Sequence, residues 1–569
     1  MSSTKYVYSA DFETTTDTNL AIDGYVRVYL WSLVNCESMK DYMKDPQSIK
    51  EYQGFSISTF LDKIKELRAK TIFFHNLKFD GQFILDYLLR RHWQIDKDYS
   101  VIVDNRNSWY EIKLNFDKFS CRIWDSGKKF PGHSVKTLAK LYGFSDKEES
   151  PDFNRYLPWD YVPSDIEKEY NMQDSRIVAY AIEMEYEKGH NSLTLSSDAF
   201  KDVKDKCLNG RFWRDEFPLL TGMTDSFARD SYKGGYVYLK PEYDGVELHN
   251  VTTFDVNSLY PHVMRNLLLP YGVPEFRPHR GDELYVTRFS CNFDLKDGYL
   301  PTLQIKNCYR NDEAEYLAHS NDSTILTMTN IDYNIFKKHY DIYDESDHED
   351  LCVKSKIGLL QPYIDYWYEK KISCKKDGKV INPAEYYMSK RYLNSPYGKT
   401  GMKGDRINKI PFYDVENNRI GWNNQEESVD SIYVLYATFV CAQARNITIT
   451  AAQNNYDSFI YGDTDSIHLL TDNAKGIDIS DIKLGAFKQE NKIPWDYAKY
   501  LKAKTYCHAM KEDNEIKIKE VRVAGLNNAL SEMIKWDEFN YNYNTNENKK
   551  IFTVPGGCVI RKTRFHISQ

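Results

Sequence analysis

Apolar and polar residues alternate with two different periods along roughly the first 190 residues. The stretch "KYVYSADFET" predicts a strand ending in a charged turn, and "KTIFFHNLKFDGQFILDYLLRR" predicts a strand, a loop and an apolar helix. Residues 162–191 predict a long helix, because Ser164 and Glu167 form a capping-box pattern and Gly189 suits the helix end. This alternation of strands and helices predicts a compact α/β domain.

Residues 358–398 carry the pattern of two helices joined by the short loop "CKKDGKVI". For the second helix, Asn382 is the predicted N-cap, Pro383 takes the first helical position and Glu385 completes a capping box. Pro396 removes a backbone donor late in this helix, so we expect the helix to bend or end there. The pattern predicts a finger-like helical hairpin.

The pattern changes several times around this hairpin. "NVTTFDVNSLYPHVM" predicts a strand that leads into a helix, and residues 399–430 read as a polar, loop-rich segment. An apolar helix is predicted near 432–455, followed by a hairpin in "FIYGDTDSIHLL" and a C-terminal tail of short strands.

Composition narrows the class of protein. A chain of 569 residues is too long for one hydrophobic core, so we expect several domains. With a net charge of −8, any contact with nucleic acid is expected in a local groove rather than over the whole surface. The 10 cysteines form no Cys-x-x-Cys pair, which disfavours structural zinc and suits a reducing cytoplasm. The N-terminus lacks a signal-peptide core, and no apolar run is long enough to span a bilayer.

Acidic residues of the first domain form a candidate hydrolytic site. Asp11 and Glu13 are two apart on a predicted strand and therefore face one way. Asp80 follows a neighbouring strand, and Tyr170 and Asp174 share one face of the long helix. Two divalent ions held by these carboxylates would clamp a phosphodiester, with Tyr170 orienting the attacking water. The alternative is a pair of solvated acids at the end of a strand.

A second acidic set lies in the C-terminal half. Asp255 ends an apolar strand, while Asp463 and Asp465 sit two apart at a hairpin tip. If these strands pair, three carboxylates crowd together, and bound Mg²⁺ would relieve their repulsion. One ion would activate an attacking hydroxyl and another would hold a triphosphate. The alternative is that the Asp-Thr-Asp sequence is only a turn.

The helical hairpin supplies candidate nucleotide contacts. Lys390, Asn394 and Tyr397 fall on one face of the second helix, and Lys371 of the first helix is a further candidate phosphate ligand. Tyr260 follows the first aspartate closely enough to pack under the sugar of a nucleotide and exclude a ribose hydroxyl. The alternatives are ordinary surface lysines and a core tyrosine.

Further residues are candidate DNA contacts. Glycines permit close approach of the backbone to phosphate, aromatic rings stack on bases, and lysines pair with the backbone. On these grounds we select residues from three stretches: His75, Asn76 and Phe79; Tyr232, Gly234 and Gly235; Lys504 and Tyr506.

Taken in order, the motifs resemble those of family B DNA polymerases with an N-terminal 3′→5′ proofreading exonuclease. "DFET", "NLKFDG" and "YNMQD" are similar to the three exonuclease motifs, and "DVNSLYP", "KRYLNSPYG", "YGDTDS" and "KTY" to the polymerisation motifs. The length and the "YKGG" stretch look most like the protein-primed branch, the phi-twenty-nine type of bacteriophages. The family usually has Ser-Leu-Tyr-Gly where this chain has "SPYG".

The resemblance implies an α/β and α+β multidomain fold, with a ribonuclease H-like exonuclease domain and a right-hand polymerase that carries two insertions. The expected parts are an exonuclease domain (1–195), a palm in two segments (196–304 and 431–530), a terminal-protein-region insertion (305–357), fingers (358–398), a strand-displacement insertion (399–430) and a thumb (531–569).

The resemblance also implies ligands and partners. Mg²⁺, with Mn²⁺ as a possible substitute, would be held in the polymerase site by Asp255, Asp465 and the carbonyl of Val256, with Asp463 completing the acidic cluster. In the exonuclease site the metal ligands would be Asp11, Glu13, Asp80 and Asp174, joined by Glu149 of a Lys147–Glu149 pair. Partners would be template and primer DNA, dNTPs and a terminal protein whose side-chain hydroxyl serves as primer.

The implied protein is a monomer or a heterodimer with the terminal protein, in the cytoplasm of a bacterial host. Three other readings stay open at this point. They are a polymerase that extends only nucleic-acid primers, a catalytically idle DNA-binding scaffold, and a nuclease whose C-terminal half merely grips DNA.

Overall fold

The computed structural model describes residues 4–37, 39–42, 45, 48–144, 151, 155–304, 316–376 and 378–568. The predicted Lys147–Glu149 pair lies outside the described residues. Over the described ranges, the helices are too short or too polar to cross a membrane.

A mixed sheet forms the centre of the N-terminal domain. Its strands are β1 (Val7–Thr14), β2 (Val28–Asn35), β3 (Glu51–Gly54), β4 (Thr71–Phe74), β5 (Tyr99–Val103), β6 (Trp109–Phe116) and β7 (Phe119–Asp125). They lie in the order β3-β2-β1-β4-β7-β6-β5, with β1 antiparallel to β2 and parallel to β4. Aromatic side chains meet edge to face in the core below β1: Phe12, Trp31, Phe60 and Phe74.

Helices pack against this sheet, and the predicted α/β domain is confirmed. They are α1 (Met39–Tyr42), α2 (Ile57–Leu67), α3 (Leu77–Arg90), α4 (Val135–Tyr142) and α5 (Asp165–Glu187). The predicted capping box opens α5, because the Glu167 N–H donates to Ser164 Oγ at 3.3 Å and the Ser164 N–H donates to Glu167 Oε2 at 2.9 Å. Gly189 follows this helix with a φ of 84°, as expected for a helix end.

A second sheet and an inserted sheet follow in the chain. The elements are α6 (Leu195–Cys207), α7 (Trp213–Glu216), α8 (Gly222–Ser231), β8 (Val237–Leu239), β9 (Glu247–Leu248), β10 (Thr252–Val256), α9 (Leu259–Asn266), β11 (Leu269–Phe276), β12 (Leu284–Leu295), β13 (Leu303–Gln304), β14 (Tyr316–Leu317), β15 (Thr324–Thr329), α10 (Asn330–His339) and β16 (Tyr340–Lys356). One sheet of four strands has the order β11-β16-β12-β15. Its strands β11 and β12 precede the expected boundary between residues 304 and 305, and β15 and β16 follow it.

The predicted helical hairpin is present but differs in two details. It consists of α11 (Gln361–Ser373), the short strands β17 (Lys375–Lys376) and β18 (Lys379–Val380), and α12 (Pro383–Thr400). Asn382 caps α12 by accepting from the Glu385 N–H at 3.2 Å. The predicted capping box was wrong, because the Glu385 carboxylate instead accepts hydrogen bonds from Lys188 at 2.6 Å and Lys370 at 3.2 Å.

The helix α12 does not end at Pro396, since it continues to Thr400. Pro396 has no N–H to donate to the carbonyl four residues earlier, which belongs to Tyr392. The buried Tyr363 hydroxyl of α11 donates to that carbonyl at 2.7 Å. The hydrogen bond that proline cannot make is therefore replaced by one from the neighbouring helix.

The segment after the fingers is a β-hairpin, so the prediction of a loop-rich segment was wrong. Strands β19 (Asp405–Asp414) and β20 (Arg419–Ser428) pair along their whole length. Most of their side chains are polar, so the alternation that marks a half-buried strand is missing. The hairpin reaches the first domain, where the ring of Trp422 lies 5.3 Å from that of Trp109.

The remaining elements complete the central sheet and the C-terminal region. They are α13 (Val434–Asn454), β21 (Phe459–Asp463), β22 (Ser466–Leu469), β23 (Phe487–Gln489), β24 (Tyr497–Lys502), β25 (Thr505–Glu512), β26 (Glu515–Arg522), α14 (Asn528–Ser531), β27 (Asn544–Val554) and β28 (Gly557–His566). The central sheet has the order β23-β10-β22-β21-β8, and a neighbouring sheet has the order β26-β25-β24-β9.

The C-terminal hairpin, β27 and β28, seats its tip on the first domain. The Val26 N–H donates to the Pro555 carbonyl at 3.0 Å, and the Gly556 N–H donates to the buried Asp86 carboxylate. Gly556 has a φ of 88°, and a Cβ there would collide with the Val26 carbonyl. A Cβ at Gly557 would collide with the Phe83 ring, so only glycine fits this tip.

Candidate active sites

The aspartates of "YGDTDS" lie beside Asp255 because their strands are neighbours in the central sheet. β10 pairs with β22, which places Asp255 opposite Ser466, and β21 places Asp463 opposite the same serine. The Val256 N–H donates to the Asp465 carbonyl at 2.7 Å. Strand pairing therefore brings all three aspartates to one edge of the sheet.

The three carboxylates have different surroundings. Burial and the charge of Asp465 raise the pKa of Asp255, and burial and the charge of Asp463 raise the pKa of Asp465. Asp463 accepts hydrogen bonds from Lys504 Nζ at 2.5 Å and from the Tyr461 hydroxyl at 3.2 Å. The arrangement is a partly buried, mutually repelling pair beside a third acid that is matched by a lysine.

Residues of the helical hairpin, α11 and α12, approach this pair. The charge of Lys390 lowers the pKa of both Asp255 and Asp465, so its ammonium lies within electrostatic reach of them. Lys371 donates to Ser258 Oγ at 2.8 Å, and burial together with the charge of Lys390 lowers its pKa to about 8. Two cationic side chains therefore face the acidic pair from the fingers.

The remaining predicted nucleotide contacts divide into two kinds. Tyr260 and Tyr397 stack with ring centroids 4.2 Å apart, and the charge of Asp465 contributes to the raised pKa of Tyr260 after burial and two other neighbours. This pair lies at the acidic edge. Asn394 donates its side-chain amide to the Lys390 carbonyl at 3.0 Å, so that amide serves the helix itself.

The "YKGG" stretch contacts the Asp-Thr-Asp turn. The Thr464 N–H donates to the Tyr236 carbonyl at 2.7 Å, and a Cβ at Gly235 would lie 2.7 Å from Thr464 Cγ2. Gly235 therefore permits close approach to this turn rather than to solvent. A Cβ at Gly234 would meet nothing within 4 Å, and the Gly234 carbonyl accepts from Arg445 at 2.7 Å.

The other residues of these stretches also pack near the acidic edge. The Tyr232 hydroxyl lies against Gly401, where a Cβ would be 2.6 Å away. The Lys504 N–H donates to the Tyr461 hydroxyl at 2.9 Å, and the ring of Tyr506 lies 5.7 Å from that of Tyr461. Lys504 and Tyr506 thus surround one tyrosine, which itself contacts Asp463.

Sequence reasoning missed two charged residues at this edge. Lys488 lies opposite Asp255 on β23, and the charge of Glu490 further raises the pKa of Asp255. Both residues lie in a lysine-rich stretch, where nothing in the local sequence distinguishes them from solvated surface charges. Only the pairing of β23 with β10 identifies them.

The acids of the first domain also meet. Burial raises the pKa of Asp80, and the charges of Asp11 and, less strongly, Asp125 add to this rise. The main-chain N–H of Phe12 donates to the Asp80 carboxylate, and Asn171 Nδ2 donates to Asp11 Oδ2 at 3.0 Å. β1 and α3 therefore bring Asp11 and Asp80 together, and Asp125 was missed because it ends a different strand.

The helix α5 lies along the same face of β1 and β2. Ser32 Oγ of β2 donates to the Asn171 carbonyl at 3.0 Å. Tyr170 precedes Asn171 directly, and Asp174 lies one turn further along, on the same face as Tyr170. The charge of Glu13 contributes to the raised pKa of buried Tyr29, so Glu13 also lies on this face.

The three predicted strand-holding residues of the first domain have partners within the protein. The ring nitrogens of His75 make hydrogen bonds with Ser126 Oγ at 2.9 Å and the His133 carbonyl at 2.8 Å. The Asn76 N–H donates to Asp125 Oδ1 at 3.1 Å, while its side chain is exposed. Phe79 is partly buried, with its ring 5.6 Å from that of Phe83.

The expected metal ligands fit Mg²⁺ only in part. Across the described residues, no group of three or more His, Cys, Asp or Glu side chains could hold a metal ion by itself. Asp255 with Asp465, and Asp11 with Asp80, are nevertheless pairs of hard oxygen ligands, and burial and the charge of a neighbouring carboxylate raise the pKa values of Asp255, Asp465 and Asp80. Mg²⁺ is commonly bound by one or two carboxylates with phosphate oxygens of the substrate, so the pairs fit this ion.

Comparison with known proteins now decides the family. The family model described as "DNA polymerase type B, organellar and viral" matches residues 145–483. The chain belongs to this family of type B DNA polymerases. The relatives of this type B polymerase include the DNA polymerases of Bacillus phage phi29, 32% identical, and Streptococcus phage Cp-1, 30% identical. These alignments cover 99% of this chain, and 99% and 98% of the two relatives.

Solved structures agree with this assignment. Phi29 DNA polymerase complexed with primer-template DNA and incoming nucleotide substrates matches with a TM-score of 0.87 and 31% identity, over 99% of this chain and 100% of that one. Phi29 DNA polymerase complexed with single-stranded DNA matches with a TM-score of 0.86 and 30% identity, over the same shares. The resemblance to the phi29 type and the expected multidomain fold are confirmed, and the type B polymerase is a DNA-directed DNA polymerase.

Proposed function

We propose that this polymerase extends a primer strand with dNTPs at the edge formed by Asp255 and Asp465. The observation that carries the proposal is the pairing of β10 with β22, which holds two repelling carboxylates together opposite the lysines of the fingers. Protonation or nearby positive charge relieves the repulsion within such a pair. Lys390 supplies part of that charge, and a bound cation would add to it.

The protein side chains have separate tasks in this mechanism. When bound, Mg²⁺, or Mn²⁺ in its place, lowers the pKa of an attacking hydroxyl and neutralises phosphate charge at both acid pairs. Asp255, Asp465 and the Val256 carbonyl would hold it at the edge where the primer is extended. Lys371 and Lys390 pair with the triphosphate oxygens, and the stacked Tyr260–Tyr397 pair forms the floor under the incoming sugar.

We further propose that the first domain removes mismatched 3′ nucleotides. Asp11, Glu13, Asp80 and Asp174 would hold the metal, and Tyr170 would orient the attacking water from α5. Supporting this, the pKa of Asp80 is raised by burial and by Asp11, as expected of acids gathered for a cation. The Asn171 amide keeps the Asp11 carboxylate oriented, and the Phe12 N–H does the same for Asp80.

Further parts of the proposed function rest on the similarity to the phi29 DNA polymerase. They are priming from a hydroxyl of a terminal protein, displacement of the non-template strand, a place in phage DNA replication in the cytoplasm of a bacterial host, and the palm, fingers, thumb and insertion boundaries given above. The relatives named here come from bacteriophages, which supports this setting.

The synthesis site is tested by substitution of both hairpin aspartates. Asp463→Ala with Asp465→Ala should abolish incorporation of labelled dNTPs on a primed template, because it removes one member of the pair and the partner of Lys504. Asp472→Ala, an exposed acid nearby, is the matched control. Full incorporation by the double variant would contradict the proposal and favour a DNA-gripping scaffold.

Protein priming is tested with purified terminal protein. Incubation with labelled dATP should attach dAMP to the terminal protein in the presence of the wild type and not in the presence of the aspartate double variant. Extension of DNA primers without any labelling of the terminal protein would instead identify a polymerase that uses only nucleic-acid primers.

A further inference from the structure

Two aromatic rings are presented to solvent by the loop that leads into α5. Trp159 is 69% exposed and Tyr156 is 58% exposed. Tryptophan is usually highly buried, and its large ring is a strong platform for stacking when it is left open. An exposed tryptophan on an enzyme domain therefore needs an explanation.

This loop is fixed rather than loosely attached. The buried Glu167 carboxylate accepts hydrogen bonds from the Tyr161 hydroxyl at 2.5 Å and the Tyr29 hydroxyl at 3.3 Å, and it also pairs with Arg155. Ser164 adds its N–H to the same carboxylate at 2.9 Å. Glu167 thus ties the loop to α5 and β2, and it holds the exposed rings in one place.

A guanidinium lies against the tryptophan. Arg27 stands over the Trp159 ring at 4.4 Å, and its Nη2 donates to the carbonyls of Leu157 at 3.2 Å and Pro158 at 2.5 Å. Its Nη1 is buried and has no hydrogen-bond partner in the described part of the chain. An unpaired charged donor is costly. Arg27 as a whole is only partly buried, and a guanidinium is the kind of group that pairs with a phosphate oxygen.

Trp159 and Arg27 lie near the end of β1, the strand that carries Asp11 and Glu13. The Arg27 N–H donates to Thr15 Oγ1 at 2.8 Å, and Thr15 lies two residues after Glu13. The charge of Glu13 also reaches Tyr29, whose hydroxyl contacts the Glu167 carboxylate. The loop, the guanidinium and Glu13 therefore share one face of the first domain.

We propose that Trp159 and Arg27 form a nucleotide subsite for single-stranded DNA entering the acid cluster of the first domain. Trp159 stacks on an unpaired base, Arg27 pairs with the adjoining phosphate, and Tyr156 extends the aromatic platform. Stacking on a ring tolerates every base, which suits a 3′ end of any sequence. The proposal rests on the exonuclease function proposed above.

Kinetics on a single-stranded oligonucleotide test the subsite. Trp159→Ala should raise the KM for nucleolysis about 5- to 100-fold, the range expected for the loss of one stacked base, with kcat within about twofold of wild type. Trp159→Phe should restore most of the affinity. Val162→Ala, which removes another exposed apolar side chain of the same loop, is the control and should leave both constants unchanged.

Salt dependence tests the guanidinium separately. In the Asp11→Ala, Glu13→Ala background, the slope of log affinity against log salt for a fluorescent oligothymidylate should fall by about 0.7 with Arg27→Gln. Arg27→Lys keeps the charge and should keep the slope, as should Trp159→Ala. An unchanged slope with Arg27→Gln would overturn the assignment of the phosphate contact.

The outcomes separate this inference from the proposed exonuclease. If wild type releases no nucleotides but Trp159→Ala still weakens oligonucleotide binding, the exonuclease proposal fails and the subsite stands. If wild type degrades the oligonucleotide and Trp159→Ala changes neither KM nor binding, the subsite is overturned. Thermal unfolding of each variant shows whether it is folded, and Arg27→Gln remains decisive if Trp159→Ala is not folded.

Discussion

The two acid clusters are assembled and balanced in different ways. Asp255 and Asp465 stand 210 positions apart in the sequence, meet through strand pairing, and are approached by lysines of the fingers. Asp11 and Asp80 meet within one domain, where an amide and a main-chain N–H are their partners. A lysine side chain can move and exchange a carboxylate partner for an oxygen of an incoming triphosphate. A main-chain N–H is fixed in place and cannot do this. The first cluster is therefore suited to receiving a polyanion and the second to holding its acids still.

The largest expected effect comes from removing acids of the first domain, which tests whether the two clusters work independently. Asp11→Ala with Glu13→Ala should lower release of 3′ nucleotides by about 10³-fold or more, because it removes two proposed metal ligands. Primer extension should stay within about twofold of wild type, since the other cluster is separate. Gel assays of labelled primers measure both activities. Asp62→Ala, an exposed acid of the same domain, is the control, and loss of both activities would show that the clusters are not independent.

A lysine of the fingers sharpens the contrast in charge. Lys371→Met should raise the KM for dNTP about 10- to 100-fold, as expected for the loss of a hydrogen bond between charged groups. Burial and Lys390 lower the pKa of Lys371 to about 8, so its ammonium is lost as pH rises through that value. The wild-type KM should therefore rise above about pH 8.

Steady-state primer extension across pH is the measurement for this lysine. Lys371→Arg stays charged and should remove the alkaline rise in KM. Lys376→Met, at the exposed tip of the same hairpin, should leave the KM as in wild type. A pH profile that is identical in wild type and Lys371→Arg would refute the assigned role.

A smaller effect concerns how the fingers hold their shape. Tyr363→Phe should lower the free energy of unfolding by about 1–3 kcal/mol, because it leaves the Tyr392 carbonyl beside Pro396 unpaired. Urea denaturation measures this change. Tyr343→Phe, at an exposed tyrosine of the inserted sheet, is the matched control. Equal stability of the two variants would mean that the carbonyl is satisfied in another way.

The smallest expected effect is a gain in stability. Asp255 has a folded-state pKa above that of the unfolded chain, so its contribution to stability falls as pH rises from the usual aspartate range toward the folded value. Asp255→Asn should therefore raise the free energy of unfolding by about 1 kcal/mol at neutral pH in chelator-containing buffer, while incorporation is lost. Thermal unfolding of the variant beside Asp472→Asn measures it, and a destabilised Asp255→Asn would show that the pair is not repulsive.

Local rules predicted the elements that carry the acids. The period of apolar residues located β1, β10 and α5, and the Ser164–Glu167 box marked where α5 begins. The position of Asp255 beside the hairpin followed once those strands were assumed to pair. The family assignment followed from the order of the motifs.

Partners contributed by distant segments were beyond these rules. Most side chains of the hairpin of β19 and β20 are polar, so its alternation was hidden. Nothing near Pro396 indicates that a tyrosine of another helix replaces the missing bond, and nothing near Lys488 indicates that it lies opposite Asp255. The protein partners of both ring nitrogens of His75 were likewise not predicted, and its contact with DNA stays a prediction.

The glycine tip of the C-terminal hairpin has a consequence for how the chain is made. Domains fold as units during synthesis, and the N-terminal one folds first. The residues that cover Val26, Gln82 and Phe83 leave the ribosome more than 450 positions after them. Until Pro555 and its glycines arrive, the nascent N-terminal domain keeps an apolar slot uncovered. Products truncated before this tip would keep it open permanently, which makes them natural targets for the proteases that clear incomplete chains.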